Sequence, residues 1–171
     1  VFMCDGAPVR GEIVSISSAW KAVLEHRNDP PVIRQILGDF VGAATLLRAS
    51  LKFDGTLIIQ AQSKGPIQLL VVECGSDMTM RATVKLSVDP KEISPEATLA
   101  ELLDAEHSGR LVITLDPADR QPGQAPYQGI VALQEHDGHV IKPVTSAAEA
   151  ISLYMQQSEQ LDTRIWLATN A

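Results

Sequence analysis

Between Ile33 and Leu51 apolar residues keep to one side of a helix, and from Phe53 onward the period drops to two. Ile33, Leu37, Phe40, Ala44, Leu47 and Leu51 follow one another at intervals of four, three, four, three and four residues, which stacks them on one helical face. At about 1.5 Å per residue, a helix near 32–51 spans about 28 Å, enough to cross a sheet. Gly38 and Gly42 lie one turn apart inside it. Each costs about 1 kcal/mol relative to Ala in a helix interior, so close approach of another backbone is the expected compensation. Arg34, Asp39 and Arg48 in the same stretch argue against membrane-type helix pairing.

The period-two region divides at turn signals. Asp54-Gly55, Lys64-Gly65-Pro66 and Gly75-Ser76-Asp77 bound strands predicted over 57–62, 67–74 and 80–86, an antiparallel meander. Upstream, Arg10 to Ile16 predicts a first strand, and Ser17 or Ser18 is placed to cap a short helix through Leu24. Asn28-Asp29-Pro30-Pro31 ends that helix. Downstream, Ser94-Pro95 is placed to start a short helix carrying Leu99, Leu102 and Leu103. Strands over 111–115 and 127–133 flank a proline- and glycine-rich loop, and His136-Asp137-Gly138-His139 predicts a turn. Ser146 and Glu149 form a capping box for a helix through Tyr154, and 165–168 predicts a last strand. Strands and helices mix without βαβ alternation, so the fold class is α+β, an antiparallel meander with packed helices.

The 171 residues fit one domain, 1–171, large enough to bury about 70% of its unfolded surface without a staple. Aromatics make up only 4% of the chain, so Ile, Leu, Val and Ala must fill the core. A net charge of −7 disfavours nucleic acid, whose phosphates call for clustered Lys and Arg. No apolar run approaches the roughly 18 residues of a membrane span, and no basic-then-apolar leader opens the sequence. Cys4 and Cys74 are isolated thiols, expected to be small packed side chains in a reducing compartment.

Both faces of the predicted sheet are apolar. Leu57, Ile59 and Ala61 form one set on the first strand of the meander, and Leu69 and Val71 one set on the second. Their opposite sets hold Ile58, Leu70 and Val72; in the later strands Val112 faces away from Leu111, Ile113 and Leu115, and Ile130 away from Val131 and Leu133. A one-sided antiparallel sheet usually alternates apolar-in with polar-out. The second set must therefore meet helices of the same chain, a dimer partner, or a client surface. A single bulge inverts such an assignment for its strand.

Catalytic chemistry finds no foothold in the sequence. None of the four histidines lies in a nucleophile motif, and no phosphate-binding or dinucleotide fingerprint is present. Asp5 beside Cys4 and Glu73 beside Cys74 work against thiolate formation. The reading is therefore of a non-enzyme.

Five segments carry a family resemblance. VRGEIV at 9–14, LKFDGTLIIQAQSKGPIQLLVVEC at 51–74, MRATVKL at 80–86, YQGIVAL at 127–133 and YMQQSEQLDTRIWLA at 154–168 resemble, in order, the N-terminal domain of the heat-shock protein 33 kDa family. The resemblance implies a cytoplasmic holdase that binds unfolding proteins without ATP, and hence a chain corresponding to its core domain. In that family a separate C-terminal domain binds zinc through four cysteines, and their oxidation ejects the metal and uncovers the core. This sequence holds no such cysteine pairs, so no metal site or cofactor is expected within it. The expected client-binding residues are Ile58, Leu70, Val72, Val112 and Ile130. A self-associating domain, a homodimer with its interface on that same face, is the alternative. Neither nucleic acid nor membrane is an expected partner.

Overall fold

A computed structural model describes residues 1–6, 8–121, 123–137 and 140–170. A small hairpin opens the chain, β1 (Phe2–Met3) and β2 (Arg10–Gly11). The predicted strand over 10–16 is therefore paired only at its start, and α1 (Ser17–Leu24) follows. The N-cap of α1 is Ile16, with no side-chain cap bond, so the two serines enter the helix instead of capping it. The tandem proline divides the work as its chemistry requires. Pro30 stands outside α2 (Pro31–Ser50) and Pro31 occupies its first turn, where no N–H is needed.

The period-two segments become β3 (Gly55–Gln62), β4 (Ile67–Cys74) and β5 (Met80–Leu86), paired as a meander. A 3-10 turn at Pro90–Glu92 leads to α3 (Leu99–Leu103). That helix is capped by Thr98 and Glu101 in a reciprocal box, not by Ser94, because only Thr98 lies next to the first helical residue. The chain then adds β6 (Arg110–Pro117) and β7 (Tyr127–Ala132) on the other side of β3. The antiparallel sheet runs β5-β4-β3-β6-β7. A second hairpin pairs β8 (Gln134–Asp137) with β9 (Val140–Pro143). His136 and Asp137 thus lie in a strand, while Gly138 and His139 of the predicted turn lie outside the described residues.

Helix α4 (Ala147–Gln157) completes the fold. Ser146 accepts the Glu149 N–H at 3.2 Å, but the Glu149 carboxylate turns to the N–H and hydroxyl of Thr145 instead of closing the box. After α4 Gln160 is held at φ 57°, and residues 161–170 run on without helix or strand. Residues 165–168 find no strand partner among the described residues, so the last predicted strand does not form. Ile165 and Leu167 of this segment rest on the core, and Thr169 donates to Asp39 Oδ1 at 2.6 Å.

This strap explains the first of the two glycines of α2; a Cβ at Gly42 would meet only an ordinary contact. A Cβ at Gly38 would strike the Thr169 side chain and come within 2.9 Å of the Trp20 ring, and one at Gly42 would touch Leu167 at 3.5 Å. Trp20 donates to the Asn170 carbonyl at 3.3 Å. The helix gives up propensity at Gly38 for this close approach, but side chains of Thr169 and Trp20, not the expected second backbone, take the space. Burial raises the Asp39 carboxyl above its ordinary range, and the Thr169 hydroxyl draws it partly back.

One core lies between the sheet and the helices. Ile33, Leu37 and Phe40 of α2 meet Leu57, Ile59, Leu111 and Ile113 of the sheet, with Leu102 and Leu103 of α3 and Ile151 and Tyr154 of α4. Arg48, 6% exposed, pins the end of α2. Its guanidinium donates to the carbonyls of Gly75, Leu51 and Phe53 at 3.3, 3.2 and 2.9 Å, and stacks 5.0 Å over the Phe53 ring.

Candidate functional site

Strand β4 decides what the outer face of the sheet presents. Counting forward from buried Ile67 in steps of two puts Leu69 and Val71 inside; counting back from Glu73 puts them outside. The structure resolves the conflict with a register irregularity between Ile67 and Leu69. Leu70 and Val72 are consequently fully buried, paired with Ala61 and Ile59 on the core side. They do not lie on the outer face, where the period placed them. Leu69 and Val71 take their place, half-buried and facing outward. Glu73 is the sequence signal for this, because a carboxylate marks its own set as the solvated one.

Ile58, Val112 and Ile130 do lie on the outer face. The pairing places residues in three cross-strand rows, listed from β5 to β7. Arg81, Glu73, Ile58, Thr114 and Gln128 form the first, and Thr83, Val71, Gln60, Val112 and Ile130 the second. Lys85, Leu69, Gln62, Arg110 and Ala132 form the third. Val71 and Val112 flank Gln60 on the middle row, with Ile130 beyond Val112. Thr114 accepts a bond from the Gln128 amide at 3.0 Å, which ties β6 to β7 at the face.

No helix among the described residues covers these rows. The buried apolar side chains of α1 to α4 all belong to the core on the opposite side. Ile58, Leu69, Val71 and Ile130 are absent from that core and from the partly buried side chains packed against it. Val112 is 7% exposed, yet it too stands apart from the core cluster. Ile130, one strand further out, is 57% exposed. Of the three possible covers, the helices among the described residues are thereby set aside.

The opposite side of β7 is fixed by a tyrosine pair. Tyr127 and Tyr154 both donate to Glu159 Oε1, at 3.1 and 3.0 Å. Burial, and then the Glu159 carboxylate, raise the Tyr154 phenol above its ordinary range. Tyr127 is raised chiefly by its bond to Glu159. Gly129 makes room for this packing, since a Cβ there would lie 2.7 Å from the Tyr154 ring. This network holds β7 from behind while its Ile130 faces out.

The thiols stand apart from one another. Cys74 is buried and Cys4 exposed, and neither is in a disulfide. Burial pushes the Cys74 thiol up; Arg48 opposes that shift and Asp77 adds to it. Among the described residues no three His, Cys, Asp or Glu side chains gather as a metal site. No helix among them is long and apolar enough to cross a membrane.

Comparison with known proteins agrees with this architecture. A family model described as Hsp33 protein matches residues 1–171. The chain is 43% identical over 168 residues to the 33 kDa chaperonin of Methylobacillus flagellatus, covering 98% of this chain and 51% of that protein. It is 40% identical to the 33 kDa chaperonin of Chromobacterium violaceum, over the same shares of the two chains. It therefore spans about half the length of the curated relatives it matches. The crystal structure of a 33 kDa chaperonin from Thermotoga maritima aligns with a TM-score of 0.56 at 22% identity, over 77% of this chain and 41% of that one, and shows the shared fold. With the family model matching from end to end, the chain belongs to the Hsp33 family.

Proposed function

We propose that this chain is the core of an ATP-independent holdase, and that the outer sheet face binds apolar segments of unfolding proteins. The observation that carries the reading is the face itself: Ile58, Leu69, Val71, Val112 and Ile130 lie on a sheet surface that no helix among the described residues covers. Large uncovered apolar surfaces mark interaction sites, and membership of a family whose members are named chaperonins supplies the kind of partner. Burial of apolar area is non-directional, so such a surface tolerates many client sequences. The net charge of −7 keeps a loaded complex soluble. Redox control belongs, on this reading, to the zinc-binding part of the full-length protein.

Light scattering of a chemically unfolded client diluted into the chain, with reductant and without ATP, tests the reading. Suppressed aggregation is expected, and the Val71→Ser/Ile130→Ser variant is expected to lose most of it while remaining folded. Equal suppression by parent and variant would remove the face from consideration. A dimer that persists on dilution in sedimentation and loses its dissociation resistance in the same variant would favour the self-associating alternative.

A further inference from the structure

The outer face is not electrically neutral, and its charges are unevenly placed. On the first row Arg81 stands opposite Glu73, so the two charges offset each other. At the far end of β6, Asp116 is held by Arg120 at 3.0 Å. The third row has no such balance. Lys85 and Arg110 are both exposed there, neither side chain has an ion pair or hydrogen bond among the described residues, and the row holds no acid. Lys64, in the turn joining β3 to β4, stands at the same end of the sheet. A chain of net charge −7 thus places two cations with no acid on their row beside the aliphatics of its outer face.

Strand spacing sets the scale of the feature. Lys85 and Arg110 lie three strands apart, or about 14 Å, with Leu69 and Gln62 between them. The aliphatic row of Val71, Val112 and Ile130 runs alongside, two residues away along each strand, or about 7 Å. One extended segment can therefore lay apolar side chains on the middle row while its carboxylates reach the third. A segment with lysines in those places meets like charge and is disfavoured.

We propose that this face selects unfolded polypeptide segments in which acidic residues adjoin an aliphatic run, with Lys85 and Arg110 as the specificity-determining pair. The inference rests on the client-binding reading above and adds a preference that burial alone does not supply. Exposed pairs are individually weak, so the preference is a few-fold to about tenfold at low salt and fades as ionic strength rises.

Fluorescence polarisation with three labelled peptides tests it, all sharing one Val-Ile-Leu run and flanked by Glu, by Lys or by Ser. The Glu-flanked peptide is expected to bind the chain about five- to tenfold more tightly than the Lys-flanked one, with the Ser-flanked peptide between them. The Lys85→Glu/Arg110→Glu variant is expected to reverse that order, and circular dichroism checks that it is folded. Equal binding of all three peptides would overturn the charge preference and leave the client face standing. Binding of none would overturn both readings. An unchanged order in the variant would place the selecting charges elsewhere and overturn this assignment.

Discussion

The two sides of one sheet carry similar side chains to opposite ends. On the inner side Leu57, Ile59, Leu70, Val72 and Leu111 are at most 1% exposed and lock against α2, α3 and α4. Each contributes about 1.5–3 kcal/mol by leaving water. On the outer side Ile58, Leu69, Val71 and Ile130 stay partly in contact with solvent, interleaved with Gln60, Gln62 and Gln128. Hydrophobicity alone does not separate the sets, since Leu69 and Leu70 are neighbours in sequence. What separates them is company. The inner set has helices to meet, and the outer set is diluted with amides and edged with charge, which keeps it soluble without covering it.

The sharpest way to break this comparison is to make the same change on either side of β4. Leu70→Ala is expected to cost about 2–5 kcal/mol in denaturant unfolding, because it opens a cavity in a sealed core. Leu69→Ala is expected to cost about 0.5 kcal/mol or less, with reduced client binding as its main effect. Equal losses would mean that the outer face is packed against something. A smaller effect is expected at Gly129→Ala, about 1–3 kcal/mol by the same measurement, as the new methyl meets the Tyr154 ring. Ile130→Ala next to it is expected to leave stability nearly unchanged, and a comparable loss at both positions would dissolve the distinction between the two sides of β7.

The smallest effect concerns the strap over α2. The native carboxyl of Asp39 is raised above its ordinary 3.8, so the folded state holds this proton more tightly than the unfolded chain does. The stability linked to it is fully present below that value and falls as pH rises through the higher folded value. Asp39→Asn removes the titration while an amide oxygen still accepts from Thr169. Its unfolding midpoint is expected to fall less than the parent's over that acidic window and to be at least equal at neutral pH. A variant clearly weaker at neutral pH would make the ionised carboxylate a stabilising partner of Thr169.

Much of this was legible from residue order. The α2 stripe and the edges of β4 and β5 follow from spacing that the packing then uses. The outer residues of β4 did not follow, because one bulge after Ile67 turns Leu70 and Val72 inward and Leu69 and Val71 outward. Period-two counting has no memory of such a slip; only Glu73 anchors the true phase. The Thr98 cap was hidden by the more familiar Ser-Pro pair upstream. The strap shows another limit. Alternation predicted a last strand at 165–168, but no strand forms there, and side chains on α2 hold the segment in place instead. Lys85 and Arg110 lie 25 residues apart in sequence and share a row only through the pairing of β4, β3 and β6.

The central claim is that clients meet the outer sheet face, and Trp166 offers the natural contrast, being an apolar side chain 81% exposed on the strap. A photo-crosslinking side chain placed in turn at Ile130 and at Trp166, irradiated with an unfolding client, reads the contact directly. The account predicts client adducts from position 130 and few from position 166. Adducts chiefly from 166, or equal yields from both, would contradict it.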